Sequence, residues 1–196
     1  MTDSALAKSA TPSAAKTNNA PKPLIREATQ RRRKPWKVSD KLLQFLGIWE
    51  NGVANGKNFA HQIVTDGYIL VVYKDSRGFP TVGCGHLVVS TDRLKVGEVI
   101  TKDRAKQLLK NDLRTAERAI NHQVKVPLLQ NEYDALISIA FNAGAHGVSK
   151  LVESVNKGEY TSIPGLIKHY RTGGGNMRRR NSEASLFKSG TYNANH

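Results

Sequence analysis

The feature that most constrains this chain is a change of hydrophobic period near residue 100. Residues 59–87 read as β structure: Tyr68-Ile69-Leu70-Val71-Val72-Tyr73 is strand-like, Asp66-Gly67 before it signals a hairpin turn, and Ser76-Arg77-Gly78 after it signals a second. From Thr101 onward the period is helical. Thr101 caps a helix whose apolar face holds Ala105, Leu108, Leu109, Leu113, Ala116 and Ile120. Asp112 falls on that same face, and a carboxylate turned toward a core needs a partner. Strands gathered in one block and helices in the next predict an α+β fold, a small sheet beside a helical bundle.

The remaining elements follow from the same signals. Ser39 or Asp40 can cap a helix carrying Leu42, Phe45, Leu46 and Trp49, which ends near Glu50 because Asn51-Gly52 and Asn55-Gly56 follow. Residues 131–143 are apolar around most of their circumference past Asp134, which predicts a central buried helix. Shorter helices are expected near 149–156, 161–170 and 179–187, with Gly173-Gly174-Gly175 as a flexible break.

At 196 residues the chain suits one domain with a tail. Residues 1–37 lack an apolar period and hold nine basic against two acidic residues, half of the net charge of +14. They predict a disordered tail before a domain spanning 38–196, serving either as a solvated linker or as an electrostatic anchor for an anionic surface such as the cell envelope. The longest near-apolar run, 68–73, is far short of the roughly 20 residues a spanning helix needs. The N-terminus shows no apolar core of a cleaved signal peptide, so a cytoplasmic origin is expected. No leftover apolar stripe is evident, which predicts a monomer.

Several chemistries fall away. Gly52-x-x-x-Gly56-Lys57 is one residue short of a phosphate loop, and Asn58 stands where Ser or Thr would hold magnesium. Gly83-Cys84-Gly85 lacks the third glycine of a dinucleotide loop. The six histidines have no metal-ligand spacing, and the single cysteine allows neither a disulfide nor a thiolate zinc cage. Cys84 between two glycines reads as a small residue rather than a nucleophile. No metal and no cofactor are expected. Nucleic acid is not expected as a partner, because Trp36 is the only aromatic within the basic stretch.

What remains is a set of carboxylates around a hairpin. Glycoside hydrolysis needs one carboxylic acid to protonate the leaving oxygen and one carboxylate to activate water or stabilise charge. Glu50 ends an amphipathic helix, where apolar neighbours disfavour its charged form and suit it to the acid. Asp75, on a solvated turn, should stay ionised, and Thr81 offers a hydroxyl to position water. On spacing alone, a solvated helix-end charge is the stronger reading of Glu50.

The order of these residues changes that balance. Glu50, followed by Tyr73-x-Asp75-x-x-Gly78-x-x-Thr81-x-Gly83-x-Gly85-His86, resembles the phage-type lysozymes, the endolysin muramidases. Ile100-Thr101-Lys102-Asp103-Arg104-Ala105, Ala135-Leu136 through Phe141-Asn142-Ala143-Gly144, and Arg178-Arg179-Arg180 through Phe187 to Tyr192 resemble later segments of the family, so the likeness covers residues 39–192. It implies a lysozyme-like fold with a cleft between a β lobe and a helical lobe. It also implies Glu50 as general acid, with Asp75 and Thr81 holding the attacking water in an inverting arrangement. Leu87, Phe141 and Ser149 match cleft-lining positions, Arg179 an arginine that pairs with the acid, and His86 with Asp112 a structural pair, favoured over a catalytic role. Between Glu50 and Asp75 lie 24 residues, more than the shortest members have, and they fit a longer hairpin with one strand near 59–65 and its return at 68–74.

The expected activity is a muramidase that cleaves the β-1,4 bond between N-acetylmuramic acid and N-acetylglucosamine in peptidoglycan, lysing the cell. It would reach the polymer through a holin, a secretion machine or a virion. A lytic transglycosylase using Glu50 without water, and a cationic membrane-disrupting protein independent of glycosidase activity, are the competing readings.

Overall fold

The computed structural model describes residues 30–34, 36–170, 173 and 176–195, with 145 and 146 described by backbone only. Residues 1–29 lie outside the described residues, as do Gly174 and Gly175 of the expected glycine break. The body that carries the elements below is Arg31–His196.

Helix α1 (Asp40–Asn51) is started by Ser39, whose hydroxyl accepts the Leu42 N–H, and stopped by Gly52 in the left-handed region at φ 80°. Five strands follow in an antiparallel sheet of order β1-β2-β3-β4-β5: Gly56–Lys57, Ile63–Thr65, Tyr68–Lys74, Pro80–Gly83 and His86–Leu87. The strand expected over 59–65 is shorter than that. Asn58 turns the chain instead, its side-chain carbonyl accepting the N–H groups of Ala60 (3.0 Å) and Gln62 (2.9 Å), so pairing begins only at Ile63. Asp66-Gly67 makes the expected tight connection, with Thr65 opposite Tyr68.

The helical part begins with α2 (Lys102–Gln123), capped by Thr101, whose six expected apolar residues are all buried. Helix α3 (Gln130–Ala143) is the centre of the fold, buried at every position from Glu132 to Ala140. Helix α6 (Met177–Ser189) packs along it, α5 (Ile163–Lys168) packs on α6, and α4 (Ser149–Asn156) lies against α2 and α5, with one continuous apolar cluster joining helices and sheet. The α+β expectation therefore holds. Among the described residues no helix is long and apolar enough to cross a membrane.

The boundary at residue 37 needs correction. Arg31 makes a two-point ion pair with the buried Glu132 at 2.6 and 3.0 Å, and its guanidinium lies 3.7 Å from the Tyr160 ring centroid. Arg32 pairs with Leu128 through two backbone hydrogen bonds. Trp36 is 7% exposed and packs against Tyr133 at 5.7 Å. Neither a solvated linker nor an electrostatic anchor describes Arg31, whose partner is remote in sequence: Glu132 is 101 residues away.

Candidate active site

Glu50 sits one residue from the C-terminus of α1, and the next residue fixes that end to the sheet. The Asn51 amide is buried and donates to the carbonyls of Gly67 (2.8 Å) and Gly83 (3.0 Å), binding the helix to the β2–β3 turn and to the end of β4. Read from sequence only as a helix breaker, Asn51 is the positioning residue that sequence reasoning missed. Glu50 keeps 29% of its side chain exposed, and its Oε1 accepts from Arg179 Nη1 at 2.8 Å. Arg179 comes from α6, so this pair ties the helix that carries Glu50 to the C-terminal part of the chain, as expected.

Behind Arg179 lies a buried polar network. Arg179 Nε donates to Glu183 Oε1 (3.2 Å), which also accepts from the Ser138 hydroxyl (2.6 Å). Arg180, wholly buried, donates to Glu183, to the Tyr170 carbonyl (2.8 Å) and to Asn142 Oδ1 (2.5 Å). Buried charges persist only when paired and hydrogen-bonded, and here each arginine shares the one carboxylate. Glu183, one turn after Arg179 and Arg180, is the sequence signal that could have located this network. Phe141, half-buried, stands next to Asn142 near the end of α3, and exposed Ser149 opens α4.

Asp75 and Thr81 share the β3–β4 hairpin, where Tyr73 pairs with Thr81 and Asp75 N–H donates to the Phe79 carbonyl at 2.9 Å. Asp75 Oδ1 accepts the N–H groups of Phe79 (2.8 Å) and Arg77 (2.9 Å). The Phe79 amide leads the causes that hold its carboxyl below the usual range, with the Arg77 amide and charge adding to it. Asp75 is thus an anion with one oxygen held by two backbone N–H groups and Oδ2 at 3.6 Å from Arg77 Nη2. Thr81 is buried and donates its hydroxyl to the Phe79 carbonyl (3.1 Å), so toward a third group that oxygen acts as an acceptor. Leu87, half exposed on β5, lies opposite Thr81 in register.

His86 and Asp112 meet as expected, with Nδ1 2.9 Å from Oδ1. A second carboxylate was not foreseen: Asp92, on a short 3-10 turn, lies 3.1 Å from Nε2. Burial opposes the imidazolium, but hydrogen bonds to Asp92 and Asp112 outweigh it and raise the His86 pKa. Burial raises the Asp112 pKa against the pull of His86, whereas at Asp92 burial is outweighed by the Val89 N–H and His86, which lower its pKa.

The comparisons with known proteins now bear on this geometry. Residues 64–183 match the phage lysozyme family. The chain is 37% identical over 151 residues to the endolysin of Salmonella phage P22, spanning 74% of this chain and 99% of that protein. The chain belongs to the phage lysozyme family. It is 34% identical over 145 residues to the endolysin of Acyrthosiphon pisum secondary endosymbiont phage 1, covering 63% of this chain and 90% of that one. A solved endolysin from Escherichia coli O157:H7 phage FAHEc1 superimposes with a TM-score of 0.63 at 26% identity, over 83% of this chain and 99% of that one. A solved P22 lysozyme mutant gives 0.62 at 30% identity, over 78% and 99%. The fold is therefore lysozyme-like, and the protein is a glycoside hydrolase of the peptidoglycan-degrading endolysin type. Glu50 lies N-terminal to the family-matched stretch.

Proposed function

We propose that this endolysin is an inverting muramidase, cleaving the β-1,4 bond between N-acetylmuramic acid and N-acetylglucosamine, with Glu50 as general acid and Asp75 as general base. The observation that carries the reading is the state of Asp75: ionised, with one oxygen tied to the hairpin amides and Oδ2 left to take a proton. Glu50, oriented by Arg179, donates its proton to the glycosidic oxygen as the bond to the anomeric carbon breaks. Water attacks that carbon from the opposite face, losing a proton to Asp75 while donating a hydrogen bond to Thr81 Oγ1. An inverting pair leaves room for this water, so the two carboxyl groups belong to the class about 6.5–9.5 Å apart. Leu87, Phe141 and Ser149 line the glycan cleft, and His86 with Asp112 supports it from behind.

The enzyme acts as a monomer and reaches peptidoglycan after release by a holin, a secretion system or a virion. Basic residues within 1–37 hold it to the anionic envelope.

The deciding experiment is digestion of purified peptidoglycan by the wild type, Glu50→Gln and Asp75→Asn, with products reduced and identified by mass spectrometry. Reducing-end muramic acid from the wild type alone is the expected result. Anhydro-muramic products that survive Asp75→Asn would make the protein a lytic transglycosylase. Undiminished killing of cells by Glu50→Gln would move the lytic action to the cationic segments.

A further inference from the structure

The basic run at 31–37 contains five of the nine basic residues of the first 37 and no acidic one. The backbone on either side of Arg33 and Lys34 is anchored to the domain. The backbone bridge between Arg32 and Leu128 lays the segment against the loop after α2, and Trp36 is held by its N–H on Asn121 (3.3 Å) and its indole N–H on the Arg32 carbonyl (2.9 Å). Between the two runs of chain lies a cavity of about 360 Å³, lined by Arg33, Lys34, Trp36, Lys125, Val126 and Pro127.

Its chemistry is one-sided. Trp36, Val126 and Pro127 give an apolar floor, and three cations stand at the rim. Among the described residues no carboxylate lines the cavity. Among the described residues none of Arg33, Lys34 and Lys125 forms an ion pair, whereas Arg31 on the same segment is neutralised by Glu132. Like charges gathered around one concavity repel, and a bound anion relieves them.

We propose that this cavity is a docking site for the phosphate-bearing headgroups of anionic membrane lipids. It sharpens the reading that residues 1–37 contact the envelope, and is independent of the glycosidase assignments. A headgroup phosphate supplies the anion that the three cations call for. Nucleic acid fits less well, because its bases want an open aromatic face and the only ring here is buried against Tyr133. A membrane surface also collects the neighbouring Arg32 and Lys37, which are exposed on the same segment. Each cation near an anionic membrane strengthens binding about fivefold, so three together supply on the order of 100-fold.

The test is co-sedimentation of the full chain with vesicles of phosphatidylcholine and phosphatidylglycerol in a three-to-one ratio, against phosphatidylcholine alone. The wild type should bind the first and not the second. The triple variant Arg33→Glu, Lys34→Glu, Lys125→Glu reverses three charges and should bind more than about 100-fold more weakly. A control with the same change of charge, Lys8→Glu, Lys16→Glu, Lys22→Glu, should stay within a few-fold of the wild type. Both variants should digest purified peptidoglycan normally, which separates this site from the glycosidase reading. If the first variant does not fold, glutamine at the same three positions replaces it. Equal losses in the two variants would overturn the site in favour of diffuse attraction. Displacement by millimolar inorganic phosphate, or tighter binding to duplex DNA than to vesicles, would overturn the choice of ligand.

Discussion

Asp75 shows how a single carboxylate is set for its task by the backbone around it. Two N–H groups of its own turn converge on Oδ1 and stabilise the anion, and the Arg77 guanidinium near Oδ2 adds to them. Because its pKa lies below the ordinary 3.8, the base remains active well into the acid range. The acid limb of kcat/KM should therefore fall below pH 3.8, when read in short assays before acid unfolding intervenes, and Asp75→Asn should lower kcat about 10²–10⁴-fold. A wild-type acid limb near pH 5 that disappears in Asp75→Asn would contradict this. His86 works in the other direction. Its pKa is raised by two carboxylates, so its contribution to stability is complete below the unfolded value of 6.5 and is lost as pH rises through the folded value above it. His86→Asn should accordingly depress Tm more at pH 5.5 than at pH 9, and a deficit that grows with pH would be wrong in sign. Asp112 was legible as a carboxylate on an apolar helix face, and the histidine it needs is the one found. Asp92 was not, because its role depends on a loop conformation that no periodicity encodes.

At the scale of elements, the site depends on how closely α1 approaches the β2–β3 turn. Gly47 faces Gly67 so tightly that a Cβ at 47 would lie 2.6 Å from the Gly67 carbonyl oxygen, a backbone atom that cannot swing aside. Glycine inside a helix is ordinarily a liability of about 1 kcal/mol relative to alanine. Here that ordering should reverse. Gly47→Ala should lower Tm and, by lifting the helix end from the hairpin, cost more in kcat than in KM, as measured on soluble glycan fragments. A more stable and fully active alanine variant would show that α1 carries Glu50 without needing the turn. Sequence periodicity gave α1, α2 and α3 nearly to the residue, since each buries a continuous apolar face. The hairpin before Tyr68 was legible only in part: Asn58 spends its side chain on a turn, so the chain doubles back where an extended strand was expected. Of the Arg179–Glu183–Arg180 network only the role of Arg179 was legible, because the rest depends on packing against Ser138 and Asn142 on α3, 38 to 45 residues away.

For the whole molecule, the decisive boundary is the point where the basic N-terminal stretch becomes part of the domain. A run of arginines next to a proline reads as solvated, and only the fold reveals the buried acceptor that Glu132 provides for Arg31. Two truncations separate the readings. Removing residues 1–30 leaves Arg31 and Trp36 in place, and Tm should stay within a few degrees of the full chain. Removing residues 1–37 takes the partner from a glutamate whose side chain is 3% exposed, and takes the indole from its seat on Tyr133. Breaking a buried ion pair costs about 3–5 kcal/mol, and losing a buried tryptophan about as much, with the two not simply additive. At about 2–4 °C per kcal/mol for a domain of this size, Tm should drop by on the order of 10 °C or more. The damage should also reach the chemistry. The next residues are Val38, whose N–H donates to Glu117, and Ser39, which caps α1 while donating to the buried Asp134. Loosening the segment therefore loosens the start of the helix that ends at Glu50, and the shorter chain should lose peptidoglycan hydrolysis at a lower temperature than the longer one. Matching melting curves for the two truncations would return residues 31–37 to the tail.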